Sequence, residues 1–94
     1  MKKEAKSLED ILLQIGNNLY TIRHVRRDKI ATVARAIGVS HPVISLVENG
    51  RYKSINIALL YRLATYYKVP LGYILSDGAD KSIFDIHPRY IPQL

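Results

Sequence analysis

Residues 30–51 read I-A-T-V-A-R-A-I-G-V-S-H-P-V-I-S-L-V-E-N-G-R, two short apolar-periodic runs parted by Gly38-Val39-Ser40, the second halted at Asn49-Gly50. That is the outline of two helices joined by a tight turn. The first run turns Ile30, Val33, Ala34 and Ile37 to one side and the second turns Ile44 and Val47, so both can share one core. A glycine just past a helix adopts a positive φ without penalty. The spacing therefore predicts a helix over residues 29–36, with Asp28 as N-cap and Gly38 as its end. Ser40 opens the next helix. Pro42 is tolerated in a first turn, where backbone N–H groups lack intrahelical partners. It leaves two alternatives at the boundary: Ser40 caps the N–H of Val43, or His41 is itself the boundary residue.

Upstream, Ser7-Leu8-Glu9-Asp10 has the form of a capping box. Leu8, Ile11, Leu12, Ile15, Leu19 and Ile22 then recur at helical spacing and predict one apolar face on a helix running to about Arg26. Arg23, Arg26 and Arg27 crowd its last turn, where they complement the helix dipole; for Arg26 and Arg27, phosphate contact is the equal alternative. Downstream, Asn56 is a natural N-cap, with Ile55 and Leu60 placed as a hydrophobic staple. Ile57, Leu60, Leu63, Ala64 and Tyr67 give the following helix its stripe. Val69-Pro70 breaks that helix and begins a short one over residues 71–75. In the tail, Ile83, Phe84, Ile86, Tyr90 and Ile91 are too apolar for a solvated segment, while Pro88 and Pro92 exclude a long helix. Either the tail covers its own domain or it crosses to a second subunit.

The 94 residues suffice for a single small core, and a hydrophobic share of 48% with 23% charged residues indicates a globular chain. The absence of cysteine excludes disulfides, thiolate metal sites and thiol nucleophiles. No apolar run approaches the ~20 residues of a membrane span, and no secretory signal is visible, so the expectation is a cytoplasmic protein without membrane association. The net charge of +6 is uneven: residues 1–30 hold seven Lys/Arg against four Asp/Glu, residues 31–62 four against one, and residues 63–94 three against three. The basic excess thus lies on the part of the chain that holds residues 30–51, as a polyanion binder would place it.

Five short helices carry Ala34 at the helix crossing, Gly38-Val39-Ser40 in the turn, Ile44-Ser45 and Val47 on the second helix, then Glu48-Asn49-Gly50-Arg51, Leu63-Ala64 and Val69-Pro70-Leu71. This set resembles the helix-turn-helix family of Cro and the phage repressors, often called the XRE family, over residues 15–75. The resemblance implies an all-α, five-helix, lambda-repressor-like helix-turn-helix domain over residues 1–78. Residues 79–94 are then a short C-terminal extension and a candidate for dimerisation. In proteins similar to this one the glutamate matching Glu48 pairs with an arginine of the first helix, here Arg23. The family commonly places glutamine where this chain has Ile30; either Lys29 takes over its phosphate contact or the contact is lost.

By that resemblance the second helix of the motif enters a major groove, and its surface here is unusually apolar. Val43 and Leu46 are candidates for thymine methyl groups. His41, Ser45 and Ser40 are candidates for hydrogen bonds, His41 having the alternative of a merely exposed side chain. Asn49, Arg51, Tyr52 and Lys53 are candidates for the phosphate backbone, against the alternative of a solvated loop. With so few polar groups for base edges, specificity would lean on DNA shape. The expected function is a sequence-specific transcriptional regulator of double-stranded DNA, most simply a repressor on a palindromic operator. It would act as a homodimer joined around Leu71, Tyr73, Ile74 and the tail. The alternative is a protein-interaction module, such as an antitoxin or a phage-encoded partner protein, using the tail and the apolar helix surface. His24 and His87 have no ligand spacing for a metal, and no cofactor is expected. No carboxylate pair, nucleophile–base set or phosphate-cradling glycine loop points to an enzyme.

Overall fold

Helix α1 (Leu8–Arg26) begins where the capping box predicts, with the Ser7 hydroxyl accepting the Asp10 N–H at 3.1 Å. The computed structural model describes residues 7–77, in which α1 is followed by α2 (Ile30–Ile37), α3 (His41–Glu48), α4 (Ile57–Tyr67) and α5 (Leu71–Ile74). The expectations for residues 79–94 and for His87 lie outside the described residues.

The α2–α3 pair forms as its spacing requires. Gly38 closes α2 at φ 80°, and its N–H and that of Val39 both donate to the Ala34 carbonyl, at 2.9 and 3.0 Å. A Cβ at Gly38 would meet nothing within 4 Å, so the turn needs glycine for its dihedral, not for space. The chain bends by 112° between the two helices. Ala34, Ile44 and Val47 are buried at the crossing with Val33 and Ile37. Helix α1 packs against α3 and α5, and α4 against α2 and α5, so all five helices meet in one core. Asn56 caps α4 by accepting the Leu59 N–H at 2.9 Å, and Ile55 packs onto the core beside it.

Several expectations are corrected. Helix α2 starts one residue later than predicted, and its N-cap is Lys29 with no side-chain cap. Asp28 is held elsewhere: its carbonyl accepts Arg23 Nη1 at 2.9 Å and its carboxylate accepts the Tyr66 hydroxyl at 2.9 Å. Ser40 does occupy the N-cap of α3, but its hydroxyl makes no capping bond. Pro42 lacks one of the N–H groups a cap would use, and the Val43 N–H donates to the Ser40 carbonyl instead, at 3.1 Å. Ile57 is 62% exposed, and Leu59 takes its place in the core. Leu8 and Ile11 are 59% and 39% exposed, whereas Leu12 beside them is buried. Tyr73 and Ile74, expected at a dimer interface, are buried in the domain's own core, since α5 is folded back on α1 and α4. Helix α5 ends at Ile74, one residue earlier than predicted.

Two residues of α1 set its position. A Cβ on Gly16 would stand 2.4 Å from the Val47 carbonyl oxygen and 2.7 Å from that of Glu48, so α1 meets the end of α3 at backbone contact. Asn18, fully buried, donates its amide to the carbonyls of Ile74 at 2.8 Å and Ser76 at 2.9 Å, which fixes the exit from α5.

Candidate nucleic-acid interface

Helix α3 buries Ile44 and Val47, so residues on its opposite side face out. His41, Pro42, Leu46 and Asn49 are exposed and Ser45 is half-exposed, giving one stripe at helical spacing that Ser40 extends at the N-terminal end. Leu46 is the large apolar residue of this stripe, 40% exposed. The Ser40 hydroxyl lies at the open first turn of α3, beside Pro42. Among the predicted residues, Ser40, His41, Ser45 and Leu46 are thus brought together on one surface.

Val43 and Tyr52 are placed differently. Both are half-buried against the core and line a shallow depression with Val39, Asn56 and Arg62, so each presents only part of its surface. The Asn49 amide turns back on its own helix, donating to the Ser45 carbonyl at 2.8 Å. Lys29, at the N-cap of α2, and Arg51 and Lys53, in the loop after α3, are exposed basic residues near the two ends of the motif.

The arginines at the end of α1 divide into two roles. Arg23 donates Nε to Glu48 at 2.7 Å and Nη2 to the other carboxylate oxygen at 3.0 Å, the paired geometry that the resemblance implies. The hydrogen bond to Glu48 holds the Arg23 guanidinium above its ordinary pKa despite partial burial. Arg26 turns inward, donates to the Tyr67 carbonyl and lies over the Tyr67 ring. Burial lowers its pKa. Arg27 is exposed, the one arginine of this cluster whose side chain is open to solvent. His24 is exposed and packs edge-on against Tyr20, with ring centroids 4.3 Å apart. Among the described residues no group of three His, Cys, Asp or Glu side chains could hold a metal ion.

Residues that position this surface were missed in the sequence. Gly16 and Asn18 hold α1 against α3 and α5 and so fix the base from which α3 projects. A glycine in the middle of a nineteen-residue helix was the available signal, since glycine there costs about 1 kcal/mol with no local benefit. Asn18 gave none, because a lone polar residue at helical spacing reads as solvent-facing.

Among known proteins, neither a curated protein nor a solved structure matches the chain at a significant level. A family model described as helix-turn-helix matches residues 28–74, half of the chain, starting after α1 and ending with α5. The five-helix order, the bent α2–α3 pair and this match agree: the chain belongs to the helix-turn-helix family in its XRE, Cro-repressor-like form and carries a DNA-binding domain of that kind.

Proposed function

We propose that this domain is a sequence-specific regulator of transcription that binds a palindromic site on double-stranded DNA as a homodimer and acts most simply as a repressor. The observation that carries the reading is the outward stripe of α3, with Ser40, His41, Ser45 and Leu46 together and Lys29, Arg51 and Lys53 at its margins. A major groove admits an α-helix, and the basic residues have the charge that phosphates require. Leu46 meets a thymine methyl, His41 and Ser45 supply hydrogen bonds, and the lysines and Arg51 hold the backbone. Two copies are needed because one small domain spans few base pairs, and paired recognition helices ~34 Å apart read successive grooves.

Selection of bound duplexes from a random pool tests this, followed by titration over a range of salt concentrations. A palindromic consensus is expected, with affinity falling at a log–log slope of about −0.9 for each phosphate contact. Equilibrium sedimentation on the selected duplex should give two chains per site.

A second reading has support in the exposed Pro42 and Leu46, which offer no hydrogen bonds to base edges. Under it the same stripe docks another protein. Failure to bind any duplex at low salt would favour that reading over DNA recognition.

A further inference from the structure

The apolar stripe of α1 does not stop where the core stops. Leu8, Ile11, Ile15, Leu19 and Ile22 follow one another at three- and four-residue steps and share one helix face. The inner three are 4%, 2% and 0% exposed, whereas Ile11 is 39% and Leu8 59% exposed. Leu12, beside Ile11, is still only 3% exposed, so what stays uncovered is the outer edge of the stripe at Leu8 and Ile11. Leu75, 40% exposed, lies at the same edge, for its carbonyl accepts the Gln14 side chain at 3.0 Å one turn from Ile11.

The chain leaves the described domain at this place. Asn18 holds the Ser76 carbonyl at 2.9 Å, and Asp77 follows. From Asn18 to Ile11 is two helical turns, roughly 11 Å, a gap that a few extended residues at about 3.3 Å each can cross. Residues 78–94 supply apolar side chains past that point: Ile83, Phe84 and Ile86, then Tyr90 and Ile91. Residues 1–6 supply only Met1 and Ala5, interspersed with Lys2, Lys3, Glu4 and Lys6.

We infer that the segment 79–94 docks in cis on the uncovered edge of the α1 stripe, with Ile83, Phe84 and Ile86 against Leu8, Ile11 and Leu75. The occupant is the segment of the same chain because its attachment lies beside the surface. A short tether gives an effective concentration in the millimolar range, well above that of a second copy in dilute solution. The docked segment completes the core at the end of α1 and leaves the α3 stripe open, so it is independent of whether α3 reads DNA.

The single phenylalanine of the chain makes the test direct. In the full chain, nuclear Overhauser effects are expected between the Phe84 ring and the methyl groups of Ile11 and Leu75, lost in Phe84→Ala. In a mixture of labelled and unlabelled chains, isotope filtering should find no such effect between chains. Ile11→Ala and Phe84→Ala should each lower the denaturant midpoint, and the double variant should lower it by less than the two shifts combined. Ring-to-methyl effects that cross between chains would assign the surface to the tail of a second copy and overturn docking in cis. Absence of the effects, with fully additive midpoint shifts, would overturn the docking itself.

Discussion

The Arg23 guanidinium grips the Glu48 carboxylate through two hydrogen bonds, 2.7 and 3.0 Å long, with the two side chains only 13% and 7% exposed. The pair joins the last turns of α1 to the last residue of α3. The same Arg23 also holds the Asp28 carbonyl at 2.9 Å, so one side chain fixes both the end of α3 and the approach to α2. Removing one partner leaves the other charge largely buried with no counter-charge. Glu48→Ala should destabilise the domain by about 2–3 kcal/mol. A double-mutant cycle with Arg23→Ala in denaturant unfolding should show a coupling above about 1 kcal/mol; additive losses would make the contact energetically idle.

Gly16 and Gly72 should respond oppositely to alanine. At Gly16 the new methyl would meet backbone oxygens at 2.4 and 2.7 Å, which cannot rotate away, while at Gly72 it meets nothing within 4 Å. Gly16→Ala should lose about 1–3 kcal/mol by forcing α1 off α3. Gly72→Ala should gain about 0.5–1 kcal/mol from reduced freedom of the unfolded chain. Thermal unfolding of the two variants side by side measures both signs.

Asn18 offers a pH-dependent test. Its amide faces the carbonyls of Ile74 and Ser76 at 2.8 and 2.9 Å. Asn18→Asp replaces a donor by a negative charge among acceptors, which raises the folded-state pKa of the new carboxyl. A group with a raised folded pKa destabilises as pH climbs through the carboxylate range and is relieved as the carboxyl protonates. The variant should therefore be least stable near neutral pH and recover toward pH 4, whereas Asn18→Ala, costing about 1–3 kcal/mol, should show no such recovery.

Alkaline pH should unfold the domain through two tyrosines. Burial pushes the Tyr67 hydroxyl above the ordinary range, and the charges of Glu48 and Asp28 add to it. Burial also raises Tyr66, with its hydrogen bond to Asp28 contributing in the same direction. In the unfolded chain both ionise near pH ~10, so above that pH the folded state holds more protons and stability falls as pH rises. Tyr67→Phe should flatten this fall by up to about 1.4 kcal/mol per pH unit, read from denaturant midpoints between pH 8 and 11.

On the proposed DNA site, Arg51→Ala and His41→Ala should separate two kinds of contact. Losing Arg51 should weaken all duplexes alike and reduce the salt slope by about 0.9. Losing His41 should relax preference at one position of each half-site by about 1–3 kcal/mol. Loss of His41 that weakens every sequence equally would reassign it to the backbone.

Local rules were enough to read the motif. The periodicity of Val33, Ala34 and Ile37 against Ile44 and Val47, the positive φ demanded at Gly38, and the caps at Ser7 and Asn56 all depend on residues a few positions apart, and all stand in the structure. Where local rules failed, a distant partner had decided. Asp28 looks like a cap, yet Arg23 and Tyr66 hold it. Ile57 looks like part of the α4 stripe, yet Leu59 fills the core in its place.

The sequence by itself determined five helices, their order, and the turn that makes α2 and α3 a helix-turn-helix, because propensity, capping and periodicity act within one or two turns. Tertiary structure decided which side chains remain outward on α3, why Gly16 must lack a side chain, and that Tyr73 and Ile74 belong to the core instead of a partner. Those outcomes depend on where α1 lies against α3 and α5. That placement is set by contacts between residues far apart in the chain, which no local pattern encodes.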